Sequence, residues 1–221
     1  MHDPIRAVVF DLDGLMFDTE ALYFRVAGEM LAARGKEFTP AMMRLMIGRR
    51  AAEVTAELVA MAELEESVED VLAETRARFY ALMDTAVHPT PGLFVLLDNL
   101  GQKKLPLAVA TSSRRSYAEG LLESHGLLAR FAFLLTSEDV TRGKPDPEIY
   151  RLAAERFGLP TSSVLVLEDS PAGVAAGKAA GAFTIAIPHE HSPAEDLAAA
   201  DLVAPRLDDP RVLAIVEGDQ R

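Results

Sequence analysis

Ala7-Val8-Val9-Phe10-Asp11-Leu12-Asp13-Gly14-Leu15-Met16-Phe17-Asp18 is the stretch whose reading decides the fold. Its first four residues are a continuous apolar run with adjacent valines, the pattern of a strand buried on both faces. Similar runs recur at 105–110, 131–135, 164–167 and 183–187, with helical stretches between them. Strands that alternate with helices connect by right-handed crossovers into a parallel sheet, so a layered α/β fold is expected. Ligands of such sheets gather at the carboxyl ends of the strands, which is where Asp11 and Asp13 fall.

The first strand does not lead directly into this rhythm. From 19 to 88 the sequence reads as helices only: 19–34, closed by Gly35, then 52–64, then 68–83 with Ser67 before it as an N-cap. About seventy helical residues between strand one and strand two imply an inserted all-α cap. Pro89-Thr90-Pro91-Gly92 marks the return to the main domain. The expected domains are therefore a core of 1–16 and 89–221 and a helical cap of 17–88.

The bulk composition narrows the function. A formal charge of −12 disfavours nucleic acid or an anionic membrane as a partner, because both need a basic footprint. Absence of cysteine excludes disulfides, zinc thiolate sites and thiol nucleophiles, and suits a reducing cytoplasm. Met1 is followed by His2-Asp3-Pro4, and no apolar run approaches the roughly 18 residues of a membrane span. The expectation is a cytoplasmic monomer.

Four constellations carry chemistry. Asp11 and Asp13 place two carboxylates at the mouth of a buried strand. A calcium loop would need an oxygen ligand at its fifth position and glycine at its sixth, and Leu15 and Met16 stand there instead. Thr111-Ser112-Ser113 follows a strand and precedes a helix, an arrangement that serves as an anion seat or as simple N-capping. In Gly143-Lys144-Pro145-Asp146-Pro147, the aspartate and proline suit a helix start, while Lys144 is either a solvated loop charge or, at this end of the sheet, a cation that could hold and neutralise a phosphoryl oxygen. Glu168-Asp169-Ser170-Pro171 ends a buried strand with adjacent acids, which near Asp11 would repel unless a cation such as Mg²⁺ intervened. His189-Glu190-His191 has metal-like spacing but no third candidate nearby, and reads as a surface feature.

These motifs, in this order and with a helical insert after the first, resemble the haloacid dehalogenase superfamily, and within it the subgroup with a small helical cap that includes phosphoglycolate phosphatases and β-phosphoglucomutases. The resemblance spans essentially the whole chain. It implies a Rossmann-like three-layer core and a phosphatase acting on a small phosphorylated metabolite. It further implies Asp11 as the nucleophile that becomes an aspartyl phosphate and Asp13 as the general acid and base. Mg²⁺ would be held by Asp11, the backbone carbonyl of Asp13 and Asp169, with Glu168 as a ligand or just behind one. Thr111, Ser112 and Lys144 would bind the transferring phosphoryl group, with Ser113 beside them. Arg49 and Arg50 in the cap, and Arg114 with Arg115 after the hydroxyl run, are candidates to meet a second anionic group.

The main competing reading is a sugar phosphomutase. In the β-phosphoglucomutase pattern a histidine lies ten residues beyond the acid/base aspartate and an arginine three residues after the cap glycine. Here those positions hold Tyr23 and Ala51, which favours transfer to water. Halide chemistry does not need Asp13, and a phospho-accepting receiver module would need neither Asp13 nor the helical insert.

Overall fold

The computed structural model describes residues 3–46, 51–189 and 192–217, and Arg49 and Arg50 lie outside them. The chain divides into two compact units, one of residues 1–17 with 89–221 and one of 18–88.

The first unit contains six strands: β1 (Ala7–Phe10), β2 (Leu107–Ala110), β3 (Phe133–Leu135), β4 (Val164–Glu168), β5 (Phe183–Ala186) and β6 (Leu202–Val203). All pairings are parallel, in the order β3-β2-β1-β4-β5-β6. The chain builds outward from β1 through β2 to β3, then returns to the other side of β1 with β4. The topological switch point therefore lies between β1 and β4, where Val8 pairs with Leu107 on one side and Leu165 on the other. All four residues of β1 have zero exposure, so both faces of the sheet are covered, as the unbroken apolar run requires. On one face Val9, Ala108, Ala110, Val164 and Val166 pack with Ile149, Tyr150 and Ala153 from one helix and Ala176 and Ala180 from another.

The strands begin later than the apolar runs at two places, for local reasons. Pro106 cannot donate to the ladder, so β2 starts after it. Phe131 is taken up as the cap of a 3₁₀ turn over Leu128–Arg130, which moves the start of β3 to Phe133. The two-residue strand β6 was not anticipated, since two residues carry no periodic signal.

The second unit contains α1 (Glu20–Ala32), α2 (Pro40–Met46), α3 (Ala51–Met61) and α4 (Val68–Ala86). The short α2 escaped the sequence reading; the other three match it closely. Ser67 caps α4 by accepting from Asp70 N at 3.1 Å. Met30, Leu31, Met42, Leu58, Ala62 and Val71 form this unit's core, and Tyr23 stacks on Phe79 with centroids 4.1 Å apart. The first unit adds α5 (Leu93–Gln102), α6 (Arg115–Ser124), α7 (Glu148–Phe157), α8 (Pro171–Ala180) and α9 (Pro210–Glu217). No helix among the described residues is long and apolar enough to cross a membrane.

Arg34, just beyond α1, ties that helix to α4. It donates to Glu66 at 2.7 Å, to Glu74 at 2.6 Å and to the Met30 carbonyl at 3.1 Å. The hydrogen bond from Arg34 is the main influence holding the Glu74 carboxyl below its ordinary 4.5. A depressed carboxyl stabilises the fold above its unfolded value, and that contribution is lost as pH falls through the folded one. Arg34→Met is therefore expected to lower the urea midpoint at pH 7, with the gap from the parent closing as pH drops below 4.5. Circular dichroism melts across that range test this; a constant gap would remove Glu74 from the linkage.

Candidate active site

Every candidate core residue of the sequence analysis stands at the carboxyl end of the sheet. Asp11 follows β1, Thr111 follows β2, Glu168 ends β4 and Asp169 follows it, while Lys144 arrives on the loop between β3 and α7. Backbone bonds lock these ends together: Asp11 N donates to Leu167 O at 3.0 Å, and Thr111 N to Leu135 O at 3.0 Å.

Lys144 is the hub. Its side chain is 5% exposed, and its ammonium donates to Asp11 Oδ1, to Glu168 Oε1 at 2.6 Å and to the Ala110 carbonyl at 3.0 Å. All three N–H donors of the ammonium are thereby used, at the ends of three adjacent strands. Burial alone would push the ammonium down, but Asp11 and Glu168 outweigh it and hold Lys144 well above its ordinary value. Burial pushes the Asp11 carboxyl well above its ordinary 3.8; Lys144 opposes this, and Glu168, Asp169 and Asp13 add to it.

Glu168 is fully buried and engaged on both oxygens. Besides Lys144, Oε1 accepts from Tyr150 OH at 2.5 Å; Oε2 accepts from Asp169 N at 3.1 Å, Ser170 N at 3.3 Å and Ser170 Oγ at 3.1 Å. A Cβ on Gly173 would lie 1.8 Å from Glu168 Oε1, so α8 begins close to this carboxylate only because the residue there is glycine.

Asp13 turns the other way. Its Oδ2 accepts from Ser113 Oγ at 2.7 Å and Thr111 Oγ1 at 3.3 Å, and its Oδ1 from Tyr117 OH at 2.6 Å. The hydroxyl run thus does not cap α6, whose N-cap Arg114 makes no side-chain cap bond. Gly14, directly after Asp13, has φ of +85°, and a Cβ there would lie 2.0 Å from Asp169 Oδ2.

Asp11, Glu168 and Asp169 each offer an oxygen within 4.8 Å of the others. Three carboxyl groups thus face the single Lys144 ammonium in a buried place, a formal excess of two acids. Hard oxygen donors in that excess fit a divalent cation.

A profile for haloacid dehalogenase-like hydrolases matches residues 8–187 of the chain. The chain belongs to this family. It is 37% identical to the validoxylamine A 7'-phosphate phosphatase of Streptomyces hygroscopicus subsp. limoneus over 90% of this chain and 92% of that protein. It is 33% identical to the phosphorylated carbohydrates phosphatase of Thermotoga maritima over 80% of this chain and 82% of that one. Among solved structures, CbbY from Rhodobacter sphaeroides in complex with phosphate superimposes with a TM-score of 0.84 at 28% identity, covering 96% of this chain and 99% of that one. A point mutant of that protein in complex with xylulose-1,5-bisphosphate gives a TM-score of 0.81 at 28% identity, covering 93% of this chain and 96% of that one.

The structure of this hydrolase corrects two expectations. His189 is not a detached surface group: its Nε2 lies 3.1 Å from Asp169 Oδ2 and its side chain is 22% exposed. The chain leaves β5 beside the end of β4, which brings His189 to Asp169; Glu190 and His191 lie outside the described residues. Arg115 is not poised for a ligand, because it reaches back to Asp139 at 2.7 Å, Glu119 at 3.5 Å and the Leu134 carbonyl at 3.4 Å. Ser112 and Arg114 are exposed at the start of α6. Tyr117 and Tyr150 were missed, since a tyrosine inside an apolar helix face signals core before it signals a site.

Removing one partner of a buried ion pair leaves uncompensated charge and costs about 3–5 kcal/mol. Lys144→Met is accordingly expected to lower unfolding stability at pH 7 by about that amount. Asp11, already raised by burial, then takes up a proton as pH falls, so the loss shrinks in acid. Urea melts with EDTA present at pH 5 and pH 8 check this, and a loss that grows in acid would contradict it.

Proposed function

We propose that this hydrolase is a Mg²⁺-dependent phosphatase of small phosphorylated metabolites, sugar phosphates foremost, working through an aspartyl phosphate on Asp11. The observation that carries the proposal is the division of labour between two neighbouring carboxylates. Asp11 stands in the Lys144, Glu168 and Asp169 cluster, while Asp13, one turn residue away, is held by hydroxyls outside it. Relatives named as phosphatases of phosphorylated carbohydrates, and a structural neighbour holding phosphate, support the same reading.

In the first half-reaction a carboxylate oxygen of Asp11 forms a bond to phosphorus while the bond to the ester oxygen breaks. Asp13 donates its proton to the departing oxygen. In the second, Asp13 as carboxylate takes a proton from water, the water oxygen bonds to phosphorus, and the Asp11–phosphorus bond breaks to release inorganic phosphate. The Ser112 backbone N–H would bind a phosphoryl oxygen, and Lys144 and Thr111 would join it by exchanging a present acceptor, Asp11 for the lysine and Asp13 for the threonine, for phosphoryl oxygens; removal of one such donor typically costs about 10²–10³-fold in rate. Mg²⁺, when bound, neutralises charge between the nucleophile and the phosphoryl oxygens. Asp11, the Asp13 carbonyl and Asp169 would hold it. Glu168, whose two oxygens already take five donors, positions Lys144 and borders the ion.

Asp11→Asn is expected to remain folded and to hydrolyse p-nitrophenyl phosphate no faster than the uncatalysed control, because an amide cannot serve as the nucleophile. Asp169→Ala is expected to need a much higher Mg²⁺ concentration for half-maximal rate. Near-normal turnover by Asp11→Asn, after deamidation is ruled out by mass spectrometry, would sink the assignment.

Water is favoured over a second sugar as acceptor. Tyr23 stands where the mutase pattern has a histidine; it is stacked on Phe79, and a phenol supplies no cation near neutral pH. With β-glucose 1-phosphate and a trace of glucose 1,6-bisphosphate, inorganic phosphate is expected to accumulate faster than glucose 6-phosphate. The opposite order would make the enzyme a mutase.

A further inference from the structure

The Asp13 carboxylate is gripped from both sides. Ser113 and Thr111 donate to Oδ2 from the loop after β2, while Tyr117 donates to Oδ1 at 2.6 Å from the first turn of α6. The terminal torsion of an aspartate is broad and roughly two-fold, so a carboxylate held on one oxygen alone still rotates. Hydrogen bonds to both oxygens, from elements with different directions, fix its plane. Tyr117 is itself well placed to be rigid. It is 4% exposed, and Ala118, Leu121 and Leu122 of the same helix are buried beside it. A phenol carries its hydroxyl on a ring with only two side-chain torsions, so packing of the ring also fixes the donor.

We propose that Tyr117 is a positioning residue for proton transfer by Asp13, an inference that rests on the phosphatase reading above. Asp13 must present an oxygen within about 2.6–3.2 Å of the oxygen it protonates or deprotonates. Tyr117 does not exchange that proton. It holds Oδ1, leaving the carboxyl in one plane through both half-reactions. Misplacement of a reacting group by about 1 Å costs on the order of 10²-fold, so loss of the phenolic hydroxyl should be felt wherever Asp13 must move a proton and nowhere else.

Leaving groups separate these cases. Displacement of p-nitrophenolate, a stable anion, needs no proton from Asp13, whereas displacement of an alkoxide does. For either ester kcat/KM reports steps up to the first irreversible one, formation of the phosphoenzyme. Tyr117→Phe keeps the packed ring and removes only the hydroxyl. The experiment measures kcat/KM with p-nitrophenyl phosphate and with β-glycerophosphate, at saturating Mg²⁺, for the parent, Tyr117→Phe and Asp13→Asn. The expected result for Tyr117→Phe is a fall of about 10- to 100-fold on β-glycerophosphate and about twofold or less on p-nitrophenyl phosphate. A merely structural role would lower both together, and that result, or no change in either, overturns the proposal. Asp13→Asn separates this failure from failure of the parent reading. If Asp13→Asn loses the alkyl ester selectively and Tyr117→Phe does not, only the role of Tyr117 falls. If Asp13→Asn keeps the parental ratio of the two substrates, the acid/base assignment itself is wrong.

Discussion

The Lys144 ammonium, buried among the ends of three parallel strands, is the interaction on which the rest of the site depends. It reaches Asp11 beyond β1, the carbonyl of Ala110 at the end of β2 and Glu168 at the end of β4. A lone ammonium in such a place would be driven to lose its proton, and lone carboxylates to gain one. Held together they fix the strand ends at one spacing, and the carboxylates hold the Lys144 ammonium well above its ordinary value. Within a chain of net charge −12, the ammonium is a local positive charge, matched there by Asp11 and Glu168.

The surroundings of Glu168 show how the fold maintains that arrangement. Tyr150, from α7, and the backbone and hydroxyl of Ser170, at the start of α8, converge on its two oxygens. Lys144 also lies 5.1 Å from the Tyr150 ring centroid, so one side chain supports both partners of the ion pair. The two helices that cover one face of the sheet therefore end in the polar cluster itself. Core packing beneath and hydrogen bonding above are coupled, since a shift of α7 or α8 would move the carboxylate that holds Lys144.

Asp11 and Asp13 are chemically identical and separated by one residue, yet their environments differ. Asp11 lies with carboxylates and an ammonium, whereas Asp13 accepts from three hydroxyls. Gly14, directly after Asp13, has φ of +85° and lacks the Cβ that would collide with Asp169, so Asp169 can approach this loop only because the residue is glycine.

Much of this was legible in the sequence because it is local. Apolar runs at 7–10 and 164–167 read as strands buried on both faces, and the acids that follow them stand at strand ends by continuity of the chain. The family motifs then supplied their order. What the sequence did not disclose are the contacts between residues far apart along it: Tyr117 on Asp13, 104 residues away, and Tyr150 on Glu168, 18 residues away on the neighbouring helix. His189 reads in the sequence as a surface residue and Arg115 as one candidate for a ligand contact, whereas the tertiary structure places them against Asp169 and Asp139. The physical reason is that periodicity reports which face of an element is buried, but not which polar atom of another element that face will meet. Strand pairing and helix packing decide those meetings, and they exist only once the sheet has been assembled.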